Sequence, residues 1–174
     1  WRIRLRDGIR WHDGRPFGAE DVAFTFRYYR DGKPNRWTHH TNDTPALTVI
    51  EVLDRLSLRI GCEVPCPSFD RVTAADLPIL PAHLWEGIEH PHRYRGAVVG
   101  TGPYRLAALA PGRYLRLEAN REYFGGIPRV ERLLVSTIRN PATAFAALLA
   151  GELDLVSAPV PPELVQPLSH HQGL

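Results

Sequence analysis

Methionine is absent from these 174 residues, and Lys33 is the single lysine. Trp1 opens what reads as a strand already under way, so a segment cut from a longer protein is expected. No basic-then-apolar leader occurs, and export has to be argued from other features. No run of about 18 apolar residues is found, so no helical membrane span is expected in this segment. One-sided charge is missing too: 21 basic residues face 19 acidic ones, for a net +2. The arginines are dispersed, whereas a nucleic-acid binder shows a basic stripe, so no nucleic-acid partner is expected.

Cysteine is scarce. Cys62 and Cys66 stand alone as C-x3-C in GCEVPCPSF. Three readings stay open: two unrelated small buried residues, a disulfide that would mark an exported protein, or metal ligands. The last is the weakest, because a zinc site needs about four ligands and no second pair has matching spacing.

The remaining composition, 44% apolar and 23% charged, is that of a globular domain with its own core. Patterning alternates between strand and helix periods, which gives a mixed α/β class. Arg2 to Arg6 alternates, with Ile3 and Leu5 on one face, and Asp7-Gly8 and Asp13-Gly14 supply turns. After Gly18, Glu20 and Asp21 suit the positive end of a helix dipole. Val22, Phe26 and Tyr29 make its buried stripe, and Gly32 ends it. Asp31 to Pro45 is a polar, proline-broken loop of a length that is more often functional than accidental. It carries Arg36, Trp37, His39 and His40, an indole among cationic and imidazole groups, against the alternative of a solvated loop with one anchoring tryptophan.

Hairpins are expected at Leu47 to Ile60 and at Tyr104 to Ala119. Pro67 to Leu77 reads as a short helix, Ala82 to Glu86 as a helical turn, and His90-Pro91-His92 as loop. VVGTGPY (98–104) lacks the Lys-Ser/Thr of a phosphate loop and is read as a domain crossing. Val130 to Ile138 looks like an internal strand covered on both faces. Asn140 caps a helix with Pro141 at its first position and Gly151 after its end. Leu153 to Val156 reads as a short buried strand and Pro161 to Leu168 as a last helix.

Catalytic chemistry is hard to find. No serine sits in a G-x-S-x-G elbow, and neither cysteine has a partner that would activate it. His12-Asp13 is the one dyad with a catalytic look, but it lies in an extended segment running into a turn. The histidine pairs lack i, i+4 spacing. No catalytic residue, metal site or cofactor is therefore expected, and the chain is read as not an enzyme.

Four stretches line up with one family. WRIRLRDGIRWHDGRPFGAEDVAFTF (1–26), LPAHL (80–84), VGTGPY (99–104), and Asn120 to Pro128 followed by ALLAGELDL (147–155) resemble the family 5 solute-binding proteins. Those are the peptide and nickel receptors of ATP-binding cassette importers. Gly18 stands where the family commonly has a threonine, and Phe124 where it has tryptophan.

The resemblance implies a periplasmic-binding-protein-like class II fragment. Residues 1–99 would be most of the accessory domain, 100–174 part of the first ligand-binding lobe, and the second lobe would be absent. It implies capture of an oligopeptide or dipeptide, with a nickel chelate as second choice, by lobe closure. The partners would be that ligand and a membrane permease. The location would be periplasmic or, through a lipid anchor, the cell surface. Arg36, Trp37, His39 and His40 become ligand-binding candidates, because in relatives the loop after this helix approaches the cleft. Two other readings are kept: a solute-sensing module of a DNA-binding regulator, and, more distantly, a metal-dependent hydrolase using His12-Asp13.

Overall fold

The structure is a computed structural model that describes residues 1–31, 46–88 and 90–170. It divides into two compact units, Trp1–Leu106 with Leu117–Arg132, and Ala107–Arg116 with Leu133–Leu174.

The first unit is built around one helix on one sheet. Strand β1 (Arg2–Arg4), helix α1 (Ala19–Arg30), and strands β2 (Leu47–Asp54) and β3 (Ser57–Cys62) come first. The sheet is antiparallel in the order β1-β3-β2. Its central strand β3 therefore has neighbours on both sides, and Leu58 and Ile60 are fully buried. Against them lies the face of α1 that the helical period defines, Val22, Phe26 and Tyr29, joined by Phe69, Leu77 and Leu80.

The start of α1 is more specific than a dipole argument foresees. Gly18 is extended, and a Cβ on it would stand 3.1 Å from the Arg55 carbonyl. That same carbonyl accepts the Ala19 N–H at 2.9 Å. A Cβ at position 18 would be tight against this carbonyl, which would have to give by a few tenths of an ångström. The reciprocal cap comes from Asp21, whose carboxylate accepts the Gly18 N–H at 3.0 Å. The Asp13-Gly14 turn also behaves as expected: Gly14 takes a positive φ of 86°, a region costly for other residues.

Cys62 and Cys66 form a disulfide, which decides among the three readings. In the chain-entropy account a loop this short stabilises by about 2 kcal/mol. It tethers the end of β3 to the turns carrying Phe69. The Trp1 indole donates to the Cys66 carbonyl at 3.1 Å and lies 5.8 Å, centroid to centroid, from the Phe69 ring. The segment 67–77 is mostly turns, with only a four-residue helix α2 (Thr73–Asp76) where a longer one is expected. A one-turn helix α3 (Ala82–Trp85) follows, and residues 91–93 form a single 3-10 turn rather than open loop.

Strands β4 (Tyr104–Ala110), β5 (Tyr114–Ala119) and β6 (Arg132–Ser136) form a second sheet in that order. The second unit adds helices α4 (Pro141–Leu149) and α5 (Pro162–Ser169). Asn140 caps α4 as foreseen, its Oδ1 accepting the Ala142 N–H at 2.9 Å. Ala144 and Phe145 are buried.

Two expectations fail here. Among the described residues β6 is not an internal strand: it lies at the end of the sheet order, with Leu134 65% and Val135 49% exposed. Apolar residues on both faces state a demand for burial, but they do not supply the covering layer. Leu153 to Val156 forms no strand and Leu155 is exposed. A strand needs a partner edge for its backbone groups, and none meets this segment among the described residues.

Candidate functional site

Arg36, Trp37, His39 and His40 lie outside the described residues. What the structure does place is the surroundings of the W-H-D-G turn, where three distant motifs are joined by hydrogen bonds inside the first unit.

Trp11 is buried, with its indole N–H given to Asp21 Oδ2 at 3.1 Å. Its ring packs edge-on to Phe17 and His83, with centroids 5.6 and 6.5 Å away. Asp21 is itself buried at 8% exposure. Besides Trp11 and Gly18, its carboxylate accepts the Ala82 N–H at 3.1 Å. Thr25, one turn on, donates to the Asp21 carbonyl at 2.7 Å and accepts the Leu80 N–H at 2.9 Å. The acid of the A-E-D-V motif thus ties the W-H-D-G turn and the P-A-H-L turn to one helix end. Reading Glu20 and Asp21 as equivalent helix-capping acids misses this, because Glu20 is exposed and Asp21 is the hub.

His12 and Asp13 do not work as a pair. The His12 ring is held between Gly100 N at 3.2 Å and Gly102 O at 3.0 Å. The Asp13 carboxylate turns to His83 Nε2 at 2.6 Å and to the Arg15 N–H at 3.1 Å. Neighbours in sequence, they bond to different partners. Among the described residues no group of three or more His, Cys, Asp or Glu side chains could hold a metal ion.

Burial works to raise the Asp13 pKa, but hydrogen bonds from His83 and the Arg15 N–H, with the charges of both residues, outweigh it and hold the carboxyl below its usual range. A carboxyl lowered in the folded state adds stability above its unfolded pKa of about 4, and this is lost as pH falls through the folded value. Asp13→Asn should therefore be less stable than wild type at pH 6. The gap should close as the solution is acidified below about pH 4, as read from urea midpoints across that range.

Beside these contacts lies a small polar cleft of about 240 Å³, lined by Arg10, Trp11, His12, Asp13, Arg105 and Glu122, among others. Its charged walls carry both signs. The lining offers hydrogen-bond donors and acceptors.

The sequence model of the bacterial extracellular solute-binding proteins, family 5, middle region, matches residues 1–173. A Brucella ovis protein described as an ABC transporter peptide-binding protein is 32% identical over 149 residues, covering 83% of this chain and 28% of that protein. The oligopeptide-binding protein AppA of Bacillus subtilis is 26% identical over 166 residues, covering 90% of this chain and 30% of AppA. Among solved structures, NikZ from Campylobacter jejuni in complex with Ni(L-His) superposes with a TM-score of 0.84 at 28% identity, covering 98% of this chain and 34% of NikZ. The structure of Bacillus subtilis AppA with a nonapeptide reaches 0.86 at 22% identity, covering 98% of this chain and 34% of that one, and bears on the fold alone. This chain thus spans about three tenths of the curated relatives it matches. With its mixed helix-and-sheet architecture and its W-H-D-G, A-E-D-V and V-G-T-G-P-Y elements locked together, the chain belongs to the bacterial extracellular solute-binding proteins of family 5.

Proposed function

We propose that this chain is the middle segment of the substrate-binding component of an ATP-binding cassette importer, which captures an oligopeptide or dipeptide by lobe closure. A nickel chelate is the second ligand class. The observation that carries the reading is the family match along residues 1–173, joined to 32% identity with a transporter's peptide-binding protein. The 28% identity to a nickel–histidine-bound relative supports keeping the chelate. The work is binding without bond chemistry.

Residues 1–99 correspond in this reading to most of the accessory domain and 100–174 to part of the first lobe. The remaining lobe and a membrane permease complete the function. The receptor acts in the periplasm or, lipid-anchored, at the cell surface, and the Cys62–Cys66 disulfide suits an oxidising compartment. Transport is favoured over solute sensing for a DNA-binding regulator because the relatives named above are binding proteins.

Arg36, Trp37, His39 and His40 are the proposed ligand contacts from this segment. The test is calorimetric titration of the full gene product with peptides of two to nine residues and, separately, with nickel–L-histidine. Saturable binding to one class is expected. In the same assay Trp37→Ala should weaken binding about tenfold, the effect of removing one contacting aromatic, while Tm holds. Unfolding with affinity retained would return Trp37 to a structural anchor.

A further inference from the structure

The corner Val98 to Pro103 has no helix or strand of its own before β4 begins at Tyr104. Something else must fix its path. Its backbone is met by two side chains from distant parts of the sequence. The Gly100 N–H can only donate, and the Gly102 carbonyl can only accept. The His12 ring between them is therefore neutral with its proton on Nε2. Nδ1 accepts from Gly100 at 3.2 Å and Nε2 donates to Gly102 at 3.0 Å. The His12 backbone adds a third bond, its N–H donating to the Gly100 carbonyl at 2.9 Å. From the other side, Asn120 Nδ2 shares the Gly102 carbonyl at 3.1 Å, and the Asn120 N–H donates to the Pro103 carbonyl at 2.7 Å.

We infer that His12 is a positioning residue: its ring, through two hydrogen bonds of opposite sense, holds the corner from which β4 departs. Resting on the receptor reading above, it thereby sets ligand affinity without touching ligand. β4 is a strand within which the chain leaves the first compact unit, after Leu106. A corner free to move would have to be ordered again in each binding event, and that conformational entropy weakens binding. Three bonds from one residue are more than packing alone requires. A side chain with an acceptor and a donor on separate atoms is what meets both glycines.

The full gene product is tested in two ways. In ligand-free protein, amide hydrogen exchange at Gly100 should be about tenfold faster in His12→Ala and in His12→Phe, which keeps the volume but neither bond. His12→Asn should stay near wild type, because Asn Oδ1 can stand where Nδ1 stood. In titrations with the peptides and nickel–L-histidine, His12→Ala and His12→Phe should bind about tenfold more weakly, and His12→Asn should recover part of the loss. Wild-type exchange and affinity in His12→Phe would overturn the inference, leaving the ring as filler. A lower Tm in His12→Ala with exchange at Gly100 and affinity both unchanged would overturn it as well. If wild-type protein binds none of the probes, the receptor reading fails and takes the affinity effect with it. The exchange comparison then still decides whether the ring holds the corner.

Discussion

Replacing Asp21 by asparagine is expected to destabilise the protein by about 3 kcal/mol, although it changes two atoms' chemistry and almost no volume. The carboxylate is buried and accepts from three donors on three segments: the Trp11 indole and the Gly18 N–H at Oδ2, and the Ala82 N–H at Oδ1. An asparagine has one acceptor oxygen. If that oxygen keeps Trp11 and Gly18, the amide nitrogen faces the Ala82 N–H, donor against donor. If it turns to Ala82, two donors are abandoned. Either way a charge-assisted bond is lost and at least one part-buried N–H is left without its partner, and these two costs add. The shift of the urea unfolding midpoint, converted at constant slope, measures the sum. A loss below about 1 kcal/mol would mean that water reaches these donors and that Asp21 is a capping residue only.

Phe69→Ala should cost about 4 kcal/mol, in the range for emptying a buried aromatic site. Phe69 is 2% exposed and sits 5.6 Å from the Phe26 ring and 5.8 Å from that of Trp1, joining α1 to the start of the chain. The segment that carries it has little regular structure. Its position rests on the neighbouring disulfide and on the Phe69 N–H to Cys66 carbonyl bond at 3.2 Å. Such a segment can relax partly into the cavity, which sets the cost below the largest known for this change. Phe69→Leu should restore most of the loss, because volume is what the site needs. Calorimetric Tm values for both variants check the pair, and equal losses would show a need for the aromatic ring itself.

The sequence was legible where neighbours decide structure. Glycines after aspartates gave the turns, alternation gave the two hairpins, and Asn140-Pro141 gave the start of α4, whose cap bond is present. It was opaque where the deciding partner is remote. Nothing near Asp21 announces that Ala82 will meet it, and nothing near His12 announces Gly100, 88 residues on. Both acid and imidazole read locally as cap and turn, and both acquire their role only from the fold. The error at β6 has the same origin. Its apolar residues on both faces predict cover on both sides, and among the described residues it is the end strand with exposed leucine and valine. The candidate site is the least legible part. Arg36, Trp37, His39 and His40 stand out by chemistry and loop length, lie outside the described residues, and are proposed contacts.

Capture by closure, the proposed function of the full protein, has a direct physical readout. Small-angle X-ray scattering of the full gene product, titrated with the probe class that binds in calorimetry, tests it most directly. A fall in radius of gyration that saturates at one equivalent of ligand is expected, with the ligand recovered chemically unchanged. Saturable binding with no compaction, or conversion of the ligand to product, would contradict it.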